Sequence, residues 1–232
     1  MHGTITLRTS DGHRLSAYEN SSKNARIGVV VLQEIFGVNV HIRDVVDRLA
    51  SEGYAAIAPA IFDRIEPGHE SGYSASEINA CRTFIDQFDW DAAIFDITAA
   101  IDHLRAKGLE VAVIGFCLGG SLAFLAATRL DGIRSVVGYY GGAIAGFANE
   151  VPRCPTMLHY GEHDHTISMD NIAVVRTTRP EVAVHVYNAG HGFNCDARKS
   201  WDAKSAKLAW ERTMTHINHH TLSGLPIDGK IA

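Results

Sequence analysis

Residues 115–119 read Gly-Phe-Cys-Leu-Gly, a thiol set between two glycines. The pattern is that of a nucleophile elbow, with Cys117 where serine is the more usual residue. A thiol attacks carbonyl carbon as the thiolate, so it needs a base, and a histidine base needs an acid to fix its tautomer. Two downstream segments supply such groups: Asp164 in Gly161-Glu-His-Asp, and His191 in Gly190-His-Gly-Phe. Singly, Cys117 could be a buried structural thiol, Asp164 a turn residue and His191 a loop residue. Together, in the order nucleophile, acid, histidine, they point to acyl transfer. Glu34, in Leu32-Gln-Glu-Ile-Phe-Gly, adds a carboxylate flanked by apolar residues. The same segment could also offer a backbone N–H to a developing oxyanion.

Each of these residues follows a predicted strand. Val111–Ile114 is a short apolar run that breaks at Gly115, and a buried helix is expected from Ser121. Thr156–Tyr160 precedes Asp164, Val182–Tyr187 precedes His191, and the continuous apolar run Ile27–Leu32 precedes Glu34. Ser135–Tyr140 and Tyr54–Ala58 read as further strands. Helices are expected at Val40–Ser51, Ala92–Lys107, Met169–Thr177 and about 200–221, with a short one at Glu77–Phe88 in the irregular stretch 60–90. Thr4–Arg8 and Leu15–Glu19 alternate around Asp11-Gly12, a hairpin signal. Strands alternating with helices specify an α/β fold. The expected form is a mostly parallel central sheet with helices on both faces and an N-terminal antiparallel hairpin. Ligands of such sheets bind at the carboxyl ends of the strands. No linker or repeat divides the chain, so one domain over residues 1–232 is expected.

The 232 residues carry a formal net charge of −5 without runs of like charge, which argues against nucleic acid or an anionic membrane as the main partner. No apolar stretch approaches the roughly 18 residues of a membrane span, and the N-terminus has no apolar signal core. The 4 cysteines (Cys81, Cys117, Cys154, Cys195) are scattered and read as free thiols. Cytoplasm is therefore the expected location. His163, Asp164 and His165 adjoin, and His216, His219 and His220 lie at helical spacing. No cysteine or carboxylate completes an obvious ligand set, so neither metal nor other cofactor is expected.

Gln33-Glu-Ile-Phe-Gly, Gly115-Phe-Cys-Leu-Gly-Gly, Gly138-Tyr-Tyr-Gly, Gly161-Glu-His-Asp and Gly190-His-Gly-Phe together resemble the dienelactone hydrolase (carboxymethylenebutenolidase) family of the α/β-hydrolase superfamily. The resemblance runs from about residue 3 to 222. It implies Cys117 as nucleophile, His191 as base and acid, Asp164 as its orienter, and the N–H groups of Leu118 and Ile35 as oxyanion donors. It implies that Glu34 contacts the resting thiol. The implied substrate is a small lactone or ester carrying a carboxylate, and the implied form is a monomer. Arg64 matches one family arginine that would hold the substrate carboxylate, a task suited to the forked guanidinium. The second arginine position is Cys195 here, a neutral residue, with Arg198 three residues on. Phe36 and Tyr139 are expected substrate contacts, with Tyr139 and Tyr140 either lining the pocket or packing beside it. The alternatives are a carboxylesterase or thioesterase with another substrate, and a non-catalytic ligand or redox sensor on the same scaffold.

Overall fold

The computed structural model describes residues 2–222, and Met1 and residues 223–232 of the expected domain lie outside them. The chain opens with β1 (His2–Arg8) and β2 (Arg14–Ser21), an antiparallel hairpin. There follow β3 (Ile27–Leu32), α1 (Val40–Ser51), β4 (Ala55–Pro59), α2 (Ala75–Arg82), α3 (Trp90–Arg105), β5 (Glu110–Phe116) and α4 (Leu118–Arg129). The chain continues through β6 (Ile133–Tyr139), a short α5 (Ile144–Phe147), β7 (Thr156–Gly161), α6 (Met169–Thr178), β8 (Ala183–Tyr187) and α7 (Ala203–Leu222). The strands form one 8-stranded sheet in the order β1-β2-β4-β3-β5-β6-β7-β8, parallel from β4 to β8. This is the expected architecture.

Every residue of β3 is buried, as a strand covered on both faces requires. Its side chains alternate between two apolar clusters. Val29 and Val31 join Ile42, Val45, Val46 and Leu49 of α1 and Ala209 and Ile217 of α7. Val30 and Leu32 join Ile97, Ile101 and Leu104 of α3 and Leu122 and Ala126 of α4. Among the described residues, no helix is long and apolar enough to cross a membrane.

The stretch 75–105 differs from the sequence expectation in two helices. The helix expected at Glu77–Phe88 is α2 followed by a separate 3-10 turn at Ile85–Gln87. Its start is set by a capping box: Ser74 accepts from the Glu77 N–H, and the Glu77 side chain accepts from the Ser74 N–H. α3 begins at Trp90, because Asp89 caps the N–H groups of Asp91 and Ala92.

Candidate active site

The turn from β5 into α4 is tight enough to exclude side chains around it. A Cβ on Gly115 would lie 1.8 Å from the Gly119 carbonyl oxygen, and one on Gly119 would lie 2.3 Å from that of Leu32. Cys117 sits at the apex with φ 54°, a left-handed conformation that costs a non-glycine residue energy. Its N–H is held by the Tyr139 carbonyl at 3.0 Å, and the Gly119 N–H by the Gln33 carbonyl at 2.9 Å. The second bond fastens the start of α4 to the segment after β3. Ile35 and Leu118 thereby line the same pocket as Cys117.

His191 and Asp164, from the loops after β8 and β7, come to the same place. His191 Nε2 is 3.3 Å from Cys117 Sγ, and its Nδ1 is 2.7 Å from Asp164 Oδ2. The other Asp164 oxygen, Oδ1, accepts from the Thr166 N–H and hydroxyl and the Ile167 N–H at 2.8, 2.7 and 3.1 Å. Burial alone would raise the Asp164 pKa, but the His191 and Thr166 donors outweigh it and hold the carboxyl below its ordinary range. Burial likewise opposes a charge on His191. The Cys117 sulfur facing it, and then Asp164, overcome that and push it up to about 10. The arrangement favours the protonated form of His191.

Glu34 is buried at 1% exposure, but its partners are not the expected ones. Its Oε1 accepts from Arg198 Nη1 at 2.9 Å and its Oε2 from Tyr73 Oη at 3.4 Å. The thiol faces His191 instead. The resting contact between Glu34 and the thiol implied by the resemblance is thus replaced by an ion pair, because the Arg198 charge holds the carboxylate. Arg198 also lies over the rings of Phe36 and Tyr73, at 5.6 and 5.8 Å.

Two expected substrate contacts are corrected. Arg64 does not reach the pocket. It donates to both oxygens of Asp96, at 2.9 and 2.8 Å, and to Asp11 at 2.9 Å, tying α3 to the hairpin turn. Asp96 is fully buried, so its carboxylate claims the guanidinium. Tyr139 is also off the pocket. It is fully buried, with its hydroxyl 2.6 Å from the Thr213 hydroxyl under α7. Tyr140 packs its ring on His191, with centroids 5.1 Å apart. Phe36 lines the pocket as expected.

The pocket holds about 880 Å³. Its apolar wall includes Ile78, Ile85 and Trp90, and its cations are Arg82, Arg198 and Lys199, with no carboxylate among the lining residues. Much of this wall comes from the stretch 60–90 that sequence patterning left irregular. The Ser74/Glu77 capping box was the available signal for α2. Of the adjoining groups, His163 is bonded to Asn188 at 2.6 Å and Asp164 to His191.

The comparisons with known proteins follow the same lines. A model of the dienelactone hydrolase family matches residues 15–221. A Pseudomonas putida carboxymethylenebutenolidase is 33% identical over 224 residues, covering 92% of this chain and 94% of its own. A Synechocystis protein with the same name, given provisionally, is 36% identical over 203 residues, covering 79% and 82%. The crystal structure of a Klebsiella pneumoniae protein, named provisionally as a dienelactone hydrolase, has a TM-score of 0.79 at 28% identity, covering 92% of this chain and 98% of that one. The chain belongs to the dienelactone hydrolase family.

Proposed function

We propose that this ester- or lactone-bond hydrolase works through a Cys117–His191–Asp164 triad and a thioester acyl-enzyme, on substrates that carry a carboxylate. The observation that carries the chemistry is the unbroken chain Sγ to Nε2 at 3.3 Å and Nδ1 to Oδ2 at 2.7 Å. The Cys117 thiolate adds to the carbonyl carbon. The resulting oxyanion accepts from the Leu118 and Ile35 N–H groups, the former a first-turn helix donor with no intrahelical partner. His191 gives its proton to the leaving oxygen as the C–O bond breaks. It then takes a proton from water, whose oxygen attacks the thioester and expels the thiolate. A lactone opened this way leaves as one hydroxy or keto acid, and no cofactor enters the cycle.

Arg198, with Arg82 and Lys199, supports the carboxylate preference, in the role that Arg64 and position 195 do not fill. The cations face an apolar wall, and Glu34 behind Arg198 is the acid that pairs with one of them. In this role Arg198 exchanges Glu34 for the substrate carboxylate, which frees Glu34 to move within the site. The cavity of about 880 Å³ also favours a second reading, a carboxylesterase for bulkier acids, since pockets for drug-sized ligands span roughly 300–1,000 Å³.

Cys117→Ala tests the proposal. It should abolish turnover of an activated aryl ester while leaving the urea midpoint within that expected for loss of one sulfur. Wild-type rates from the variant would refute it.

A further inference from the structure

Cys195 stands where the resemblance implied an arginine, and its surroundings give the thiol a use. It is fully buried in the loop after β8. Its Sγ, one carboxylate oxygen of Glu34 and one ring nitrogen of His41 all lie within 4.8 Å of one another. Three separate segments at the carboxyl edge of the sheet therefore converge: the turn after β3, the first turn of α1 and the loop after β8. His41 is only 6% exposed, yet its Nε2 has no hydrogen-bond partner among the described residues, while Nδ1 lies 3.8 Å from Asp196. A buried ring nitrogen without a partner is unusual in a folded protein and leaves a donor atom open to a ligand.

We propose that Glu34, His41 and Cys195 form a binding site for a thiophilic divalent transition-metal ion, zinc being the best match. Zinc takes thiolate, imidazole and carboxylate donors in tetrahedral sites at about 2.0–2.3 Å, which sets donors about 3.5 Å apart. The three donors, which lie within 4.8 Å of one another, must draw together by up to about 1.3 Å, a matter of side-chain torsions. The charges balance. The thiol releases its proton to solvent as the sulfur–metal bond forms, and thiolate plus carboxylate neutralise the dication. Arg198 keeps Oε1 of Glu34, the metal takes Oε2 in place of the long Tyr73 hydroxyl contact, and water completes the fourth position. Hard cations such as magnesium or calcium, which prefer all-oxygen shells, do not fit this set.

Occupancy would act on catalysis through Glu34. The next two residues, Ile35 and Phe36, line the pocket. A metal on Glu34 would fix this segment and oppose the release of Glu34 from Arg198, so the ion is an inhibitor. Inhibition rests on the proposed triad reaction; binding does not.

The test is cobalt(II) titration of the full chain carrying Cys117→Ala, which removes the competing catalytic thiol. The expected result is a thiolate-to-cobalt charge-transfer band with tetrahedral visible bands, saturating at one equivalent and abolished by zinc. Adding Cys195→Ser or His41→Gln should remove the charge-transfer band or weaken binding by roughly tenfold or more. Circular dichroism checks that each variant is folded, and Cys195→Ala replaces Cys195→Ser if that variant is not. Absence of the band in Cys117→Ala, or its survival in Cys195→Ser, overturns the site. A failed titration leaves the hydrolase proposal standing, and an active Cys117→Ala variant leaves the metal site standing.

Discussion

Arg198→Met isolates the ion pair on which the pocket's charge depends. Glu34 is 1% exposed, and its strong partner is Arg198 Nη1 at 2.9 Å. With Arg198 removed, one bond remains, from Tyr73 at 3.4 Å, which is long for a hydrogen bond to a carboxylate. Breaking a buried pair by deleting one partner costs about 3–5 kcal/mol, because the remaining charge is uncompensated. The pocket gives water a route to the bared carboxylate, so the lower end, about 3 kcal/mol, is expected. That is a large share of a domain stability of about 5–15 kcal/mol. With a urea slope of about 3 kcal/mol/M for a chain of this size, the midpoint should fall by roughly 1 M. Glu34→Gln should cost less, since Arg198 borders the open pocket and lies over two aromatic rings. The double variant Glu34→Gln/Arg198→Met should recover at least about 2 kcal/mol of the summed losses. A loss below about 1 kcal/mol in Arg198→Met, or additive losses in the double variant, would show that the pair does not hold Glu34.

Arg64→Ala should lower stability by about 3 kcal/mol, because it strands the fully buried Asp96, while leaving KM for a carboxylate ester unchanged. A raised KM at wild-type stability would restore Arg64 as a substrate contact. Asp164→Asn should cut kcat by about 10⁴-fold while the protein stays folded. Its stability effect has a definite pH sign. Asp164 is held below its ordinary value of 3.8, so its stabilisation is present above that value and is lost as pH falls through the folded-state value. The gap in urea midpoint between wild type and Asp164→Asn should therefore narrow below about pH 4, and a gap constant from pH 7 to 3 would contradict the assignment.

The sheet and the residues that meet at its edge were legible because strong local signals agreed. Apolar runs such as Ile27–Leu32 and Val111–Ile114 mark strands covered on both faces, and the glycines at 115 and 119 mark a turn with no room for side chains. Partnership between distant charges was not legible. Arg64 and Arg198 look alike in sequence. Only the fold shows that Asp96 and Asp11 claim one while the other reaches the pocket through Glu34. Tyr139 and Tyr140 are adjacent, yet strand alternation buries the first under α7 and the turn sets the second on His191. His41 gave no sign of meeting Cys195, since 153 intervening residues separate segments that only the sheet brings together.

In the proposed cycle Cys117 carries the acyl group. Rapid quenching of the enzyme with an activated ester in acid, followed by digestion and mass spectrometry, measures this directly. The expected result is an adduct of the acyl mass on the peptide containing Cys117, cleaved by hydroxylamine as a thioester. Steady turnover with the acyl group found on another residue, or with no covalent adduct at any quench time down to the first turnover, would contradict it.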